Sequence, residues 1–228
     1  MREGYDAPPL NPIPGVVWLI LLPIVAMELV VSAGTLGLAG GATGVGWRQE
    51  ALQRFALSPE MLDQMIGTGR WTWDYLMRFI SYGFIHRSFI HALLAAVFIL
   101  AMGKFVAEIF SPWSVLAVFF IPLALGGVAY SLIPGVKMAL FGAYPGAYGL
   151  IGAFTFIIFA RLGAENANRA RAFTLIAFLL GIQLLFGVLF GGSPDWVADL
   201  VGFSAGFGLS FLVGPGGPAH LLRAIRQR

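Results

Sequence analysis

The groups that could do proton or nucleophile chemistry in the apolar part of this chain are few: Glu28, His86, His91, Tyr144 and Asp199. Imidazoles and carboxylates serve as general acids and bases, and a phenol is a weakly acidic hydroxyl. There are no cysteines, so thiol catalysis, disulfides and thiolate metal sites are excluded. His86 and His91 are five residues apart, about 140° around a helix, which makes them a poor chelating pair. A metal held by His91, Asp199 and a third ligand is a weaker reading than polar side chains satisfied inside a bundle, so no metal and no cofactor is expected. Glu28 sits within an apolar run. An acid inside a membrane is a functional candidate by default, and Glu28 is assigned here as a candidate contact with a partner helix; a proton-linked role and an inward-facing protonated acid are the alternatives. Around Tyr144 the chain reads Gly142-Ala143-Tyr144-Pro145-Gly146-Ala147-Tyr148-Gly149. Small residues at four-residue spacing mark close helix contacts, and Gly142, Gly146, Gly149, Gly202 and Gly206 are expected to pack the fourth membrane helix against the sixth.

These side chains must be positioned by membrane helices. The 228 residues are 58% hydrophobic and 11% charged, with mean hydropathy +0.84, whereas soluble domains carry roughly 25% charged residues. A spanning helix needs about 20 apolar residues. Six runs qualify, at residues 14–36, 84–106, 112–133, 141–161, 171–191 and 196–214. The fold class is therefore all-α, a polytopic six-helix bundle forming one domain over residues 14–214. The first run is read as a retained helix and not a cleaved signal, since no small-residue cleavage site follows it.

One connection, residues 37–83, is far longer than the others. Leu52, Phe55, Met61, Leu62 and Met65 suit short amphipathic helices, and Ser58-Pro59-Glu60 suits a helix start. Trp71, Trp73 and Tyr75 suit the headgroup layer. The loop is expected to lie at the membrane interface. Lys104, Arg161, Arg169 and Arg171 fall on the opposite side, together with Arg2 in segment 1–13 and the basic tail 215–228 with Arg223, Arg226 and Arg228. The positive-inside rule places both termini in the cytoplasm. The basic tail suits anionic lipid; no nucleic-acid partner is expected.

Three separated stretches, in order, resemble the rhomboid intramembrane serine proteases. That family carries His-x-x-x-x-His-x-x-x-Asn in its second helix; here His86 and His91 match and Ala95 stands at the asparagine. The lead-in Arg78-Phe79-Ile80-Ser81-Tyr82-Gly83-Phe84-Ile85 and the following Gly103 and Glu108 are also family-like. The family's Gly-x-Ser-Gly-x-x-x-Gly is matched by Gly142 to Gly149, with Tyr144 at the serine and Pro145 beside it. Its Ala-His-x-x-Gly-x-x-x-Gly is matched by Ala198 to Gly206, with Asp199 at the catalytic histidine. The resemblance covers residues 14–214 and implies the six-helix fold with its long first loop.

The resemblance also implies what has been lost. Peptide hydrolysis of the family's kind needs a serine hydroxyl, a base within hydrogen-bond reach and donors for the oxyanion. Tyr144 replaces the nucleophile, Asp199 the base and Ala95 an oxyanion donor, while Pro145 removes a backbone N–H. Four changes aimed at one mechanism predict a pseudoprotease with no catalytic residues, in which Tyr144 fills the former cleft against Asp199 or His91. The expected function is binding transmembrane helices of other proteins in a bacterial inner membrane, alongside contacts with membrane lipids. It would act as an accessory subunit or as a client-binding quality-control factor. An atypical rhomboid peptidase and a small transporter are the alternatives.

Overall fold

A computed structural model describes residues 12–215. Six helical stretches in it are long and apolar enough to cross a membrane: α1 (Gly15–Thr35), α6 (Phe89–Ala107), α7 (Pro112–Ser131), α8 (Tyr144–Ala164), the stretch Arg169–Leu189 built on α9 (Thr174–Phe190), and α10 (Asp195–Val213). Helices are the natural outcome of such runs, because each satisfies its own backbone polar groups where water is absent. Four short helices lie between the first two spans: α2 (Gly41–Gly44), α3 (Trp47–Phe55), α4 (Pro59–Thr68) and α5 (Trp73–Ser81). Among the described residues β pairing is limited to one isolated bridge between Leu57 and Leu140. The N-terminal segment with Arg2 and the basic tail with Arg223, Arg226 and Arg228 lie outside the described residues.

Three helix starts differ from the sequence reading, and the fourth span begins at Tyr144, not residue 141. The second span begins at Phe89, not residue 84, because a 3-10 turn (Tyr82–Phe84) and an extended segment precede it. Ser88 then caps it, its side chain accepting the His91 N–H at 3.2 Å, the usual role of a serine at that position. The fifth span is entered through a 3-10 turn (Arg169–Phe173) before α9 proper. Apolar composition runs through both junctions without registering the change of backbone.

α8 is the centre of the bundle. It packs between α7 and α10, with α6 also against it, and every residue from Pro145 to Ala153 is buried. The approach of α10 is backbone to backbone. A Cβ on Gly206 would lie 2.1 Å from the Gly149 carbonyl oxygen, and one on Gly202 would lie 2.3 Å from that of Pro145. Gly152, which the motif reading did not include, meets the Phe203 carbonyl at 2.3 Å in the same sense. The glycine expectation needs correction at two positions. Gly146 turns to the Phe119 ring on α7, and Gly149, three residues on and sharing that face, meets the Val118 carbonyl and Pro122 there while its own backbone still carries the contact with Gly206 on α10. Gly142 precedes the helix altogether. Its φ of 101° is a conformation that favours glycine, and it sits against the two histidines.

The long loop is an ordered layer. Leu57, Leu62 and Met65 are buried in the main core, and the Leu57–Leu140 bridge straps the loop to the segment leading into α8, with N–H to oxygen distances of 2.9 and 2.8 Å. Arg78 donates to the carbonyls of Gln53 and Ala56. Trp71 and Trp73 remain exposed, as suits rings at the headgroup level. By contrast α9 is attached loosely: Ile176 is its one fully buried side chain among those described, and Phe178, Leu184, Leu185, Phe186, Val188 and Leu189 all face outward.

Candidate functional site

A cavity of about 200 Å³ opens at the loop side of the bundle, lined by His91, Leu140, Phe141, Tyr144, Pro145, Gln183, Asp195 and Asp199. The starts of α6, α8 and α10 and the middle of α9 each supply part of the wall. His91, Tyr144, Pro145 and Asp199, which lie far apart in sequence, therefore meet here. Ala95 does not line the cavity. It lies one turn further along α6, fully buried in the main core.

Tyr144 is the first residue of α8, with Pro145 next, where a missing N–H has no intrahelical partner to lose. The phenol ring stacks on the His91 imidazole, with centroids 4.8 Å apart and planes 21° from parallel. Its hydroxyl donates to the His91 main-chain carbonyl at 3.3 Å, not to an imidazole nitrogen. Asp199, 4% exposed, is engaged elsewhere: Gln183 Nε2 donates to its Oδ2 at 2.9 Å. Of the two contacts expected for Tyr144, the structure makes the one with His91.

His86 is not on the helix that carries His91, so the helical separation expected between them does not apply. It lies in the extended segment before α6, and the two rings meet edge to face at 5.3 Å. His86 Nε2 accepts the Ala143 N–H at 3.2 Å, which fixes the ring as the Nδ1–H tautomer. Burial, reinforced by the neighbouring His91, pushes the His86 pKa down to about 3, so the imidazole is neutral around pH 7. His91 Nδ1 is buried without a hydrogen-bond partner among the described residues. No group of three or more His, Cys, Asp or Glu side chains among the described residues converges closely enough to hold a metal ion.

Glu28 requires a correction. It is not presented to a partner. It is 7% exposed and is gripped by Arg48 of α3, whose Nη2 lies 2.6 Å from Oε1 and whose Nη1 lies 3.0 Å from Oε2. Ser32 Oγ adds a donor at 2.6 Å, and Arg48 Nη1 also donates to the His86 carbonyl at 2.9 Å. A two-pronged guanidinium–carboxylate pair is among the stronger polar contacts, and it pins the loop to α1 and to the base of the His86 segment. Neither Arg48 nor Gln183 was singled out for these roles from the sequence. The available signals were an acid in one apolar run and an amide in another.

The family model for the Rhomboid domain matches residues 74–216, a stretch that holds five of the six spans and every residue lining the cavity. No curated protein matches the chain. Because the family match covers more than half of the sequence and coincides with a six-span helical bundle, this chain belongs to the rhomboid family.

Proposed function

We propose that this protein is a rhomboid-family member without peptidase activity, whose function is to bind the transmembrane helices of other membrane proteins. The observation that carries the reading is the stacked Tyr144–His91 pair, with the Tyr144 hydroxyl held by a backbone carbonyl. A nucleophilic mechanism needs an activated hydroxyl facing a base. The hydroxyl at the family's serine position is bonded to main chain instead, and the carboxylate at the histidine position is bonded to an amide. Ala95 brings no donor for an oxyanion, and Pro145 brings no N–H.

Binding is supported by what surrounds the cavity. α9 borders it through Gln183 and packs only lightly on the bundle, so a second helix can approach from the lipid beside it at small cost in lost packing. The protein then serves either as a fixed accessory subunit or as a client-binding quality-control factor in a bacterial inner membrane. Both termini face the cytoplasm in this reading, supported by Lys104, Arg161, Arg169 and Arg171 at the ends of α6 and α8 and before α9, opposite the long loop.

Purification from native membranes in mild detergent, with and without prior crosslinking, tests the proposal. A fixed subunit retains a membrane-protein partner at constant ratio without crosslinking; a client binder retains several only after it. Failure to retain any membrane protein under either condition would overturn helix binding.

A further inference from the structure

We infer that the cavity beside Tyr144 is an acceptor site for a basic side chain, a lysine or arginine carried near the loop-side end of a bound transmembrane helix. This rests on the helix-binding reading and specifies the chemistry of the partner. Three observations carry it. Asp199 is more than nine-tenths buried, yet only its Oδ2 has a hydrogen-bond partner among the described residues, and it lines the cavity. Asp195, one turn earlier on the same helix, lines that cavity too, with its Oδ1 accepting from the Ser193 hydroxyl, and among the described residues no lysine or arginine lines it. His91, in the same wall, has its Nδ1 buried without a partner among the described residues.

The cavity also has a way in. A larger space of about 580 Å³ lies at the turn between α9 and α10 and shares Gln183 and Asp195 with it. Its further lining includes Leu184, Val188, Gly191 and Trp196, and again no basic residue among those described. A long side chain entering past α9 would lay its methylene stem along Leu184, Val188 and Trp196 and carry its charged head to Asp195 and Asp199, the division that lysine and arginine make between apolar stem and polar head. The occupant is a helix rather than a soluble molecule because the opening faces α9, whose outer surface is apolar throughout the adjoining turns. A basic group within a membrane segment needs such a counter-charge.

The test uses the full chain in lipid nanodiscs and two synthetic peptides. Each is a 22-residue leucine–alanine membrane helix, with lysine or norleucine one turn from the loop-side end, and binding is read by energy transfer between labelled peptide and protein. The lysine peptide is expected to bind at least tenfold more tightly. D199N and D195N, each checked for unchanged thermal unfolding, are expected to reduce that preference to threefold or less. Equal, measurable binding of both peptides overturns the acceptor site and leaves helix binding standing. Binding of neither peptide overturns both. A lysine preference that survives D199N and D195N together overturns the assignment to these carboxylates. Displacement of the lysine peptide by free butylammonium at equal concentration would make this a small-amine site and overturn the helix as its occupant.

Discussion

Among the described residues two acids are buried in this bundle, and they are treated in opposite ways. Glu28 on α1 receives a two-pronged guanidinium and a serine hydroxyl. Asp199 on α10 receives a single amide hydrogen bond and borders an open cavity. A buried carboxylate is costly unless paired, so the first arrangement is a structural rivet between the loop and the membrane core. The second has room left for a donor. The difference separates a part of the molecule finished within the chain from a part that, in our proposal, is completed by a partner.

Removing the rivet should have the largest effect. Arg48→Met leaves Glu28 buried without its cation and is expected to cost about 3–5 kcal/mol, read as a lower unfolding midpoint in detergent. Asp199→Asn, which still accepts from Gln183, should cost less than about 1 kcal/mol. Equal losses at the two sites would erase the contrast.

Between them lies the α8–α10 seam. Gly206→Ala drives a methyl into the Gly149 carbonyl and should cost about 3 kcal/mol, the upper end for overpacking. Gly208→Ala, with nothing within 4 Å of the added carbon, should be near neutral in the same assay.

His86 joins the two regions, its carbonyl on Arg48 and its ring against His91. Its folded pKa of about 3 lies below the ordinary 6.5, so as pH falls through this window the unfolded chain takes up a proton that the folded chain refuses. Stability therefore declines from about pH 6.5 toward 3, by up to about 1.4 kcal/mol per pH unit from this group. Comparing denaturation at pH 6.5 and 5 should show about 2 kcal/mol lost, and His86→Gln should flatten that slope. A small effect is expected of Tyr144→Phe. It removes one 3.3 Å hydrogen bond while keeping the stacked ring, and should lower stability by less than about 1 kcal/mol.

The six spans were legible because each is a run of about 20 apolar residues, and Tyr144, His91 and Asp199 were legible through the ordered rhomboid-like motifs. What escaped the sequence depends on distance in space. Glu28 and Arg48 are separated by a turn and the start of the loop, and nothing in either segment specifies their pairing. Gln183 is an amide in a largely apolar run, and its partner Asp199 is set by how α9 leans on α10. The glycine stripe misled because a four-residue repeat reads as one helix face only where the chain is helical. The helix begins at Tyr144, so Gly142 belongs to a turn.

In our proposal the rhomboid scaffold is kept here without hydrolysis. The most direct test places the purified protein in proteoliposomes with a panel of transmembrane substrates and a serine-directed fluorophosphonate probe. No cleavage product and no labelling are expected. Cleavage that disappears in Tyr144→Phe, or labelling of the wild-type chain, would contradict the proposal.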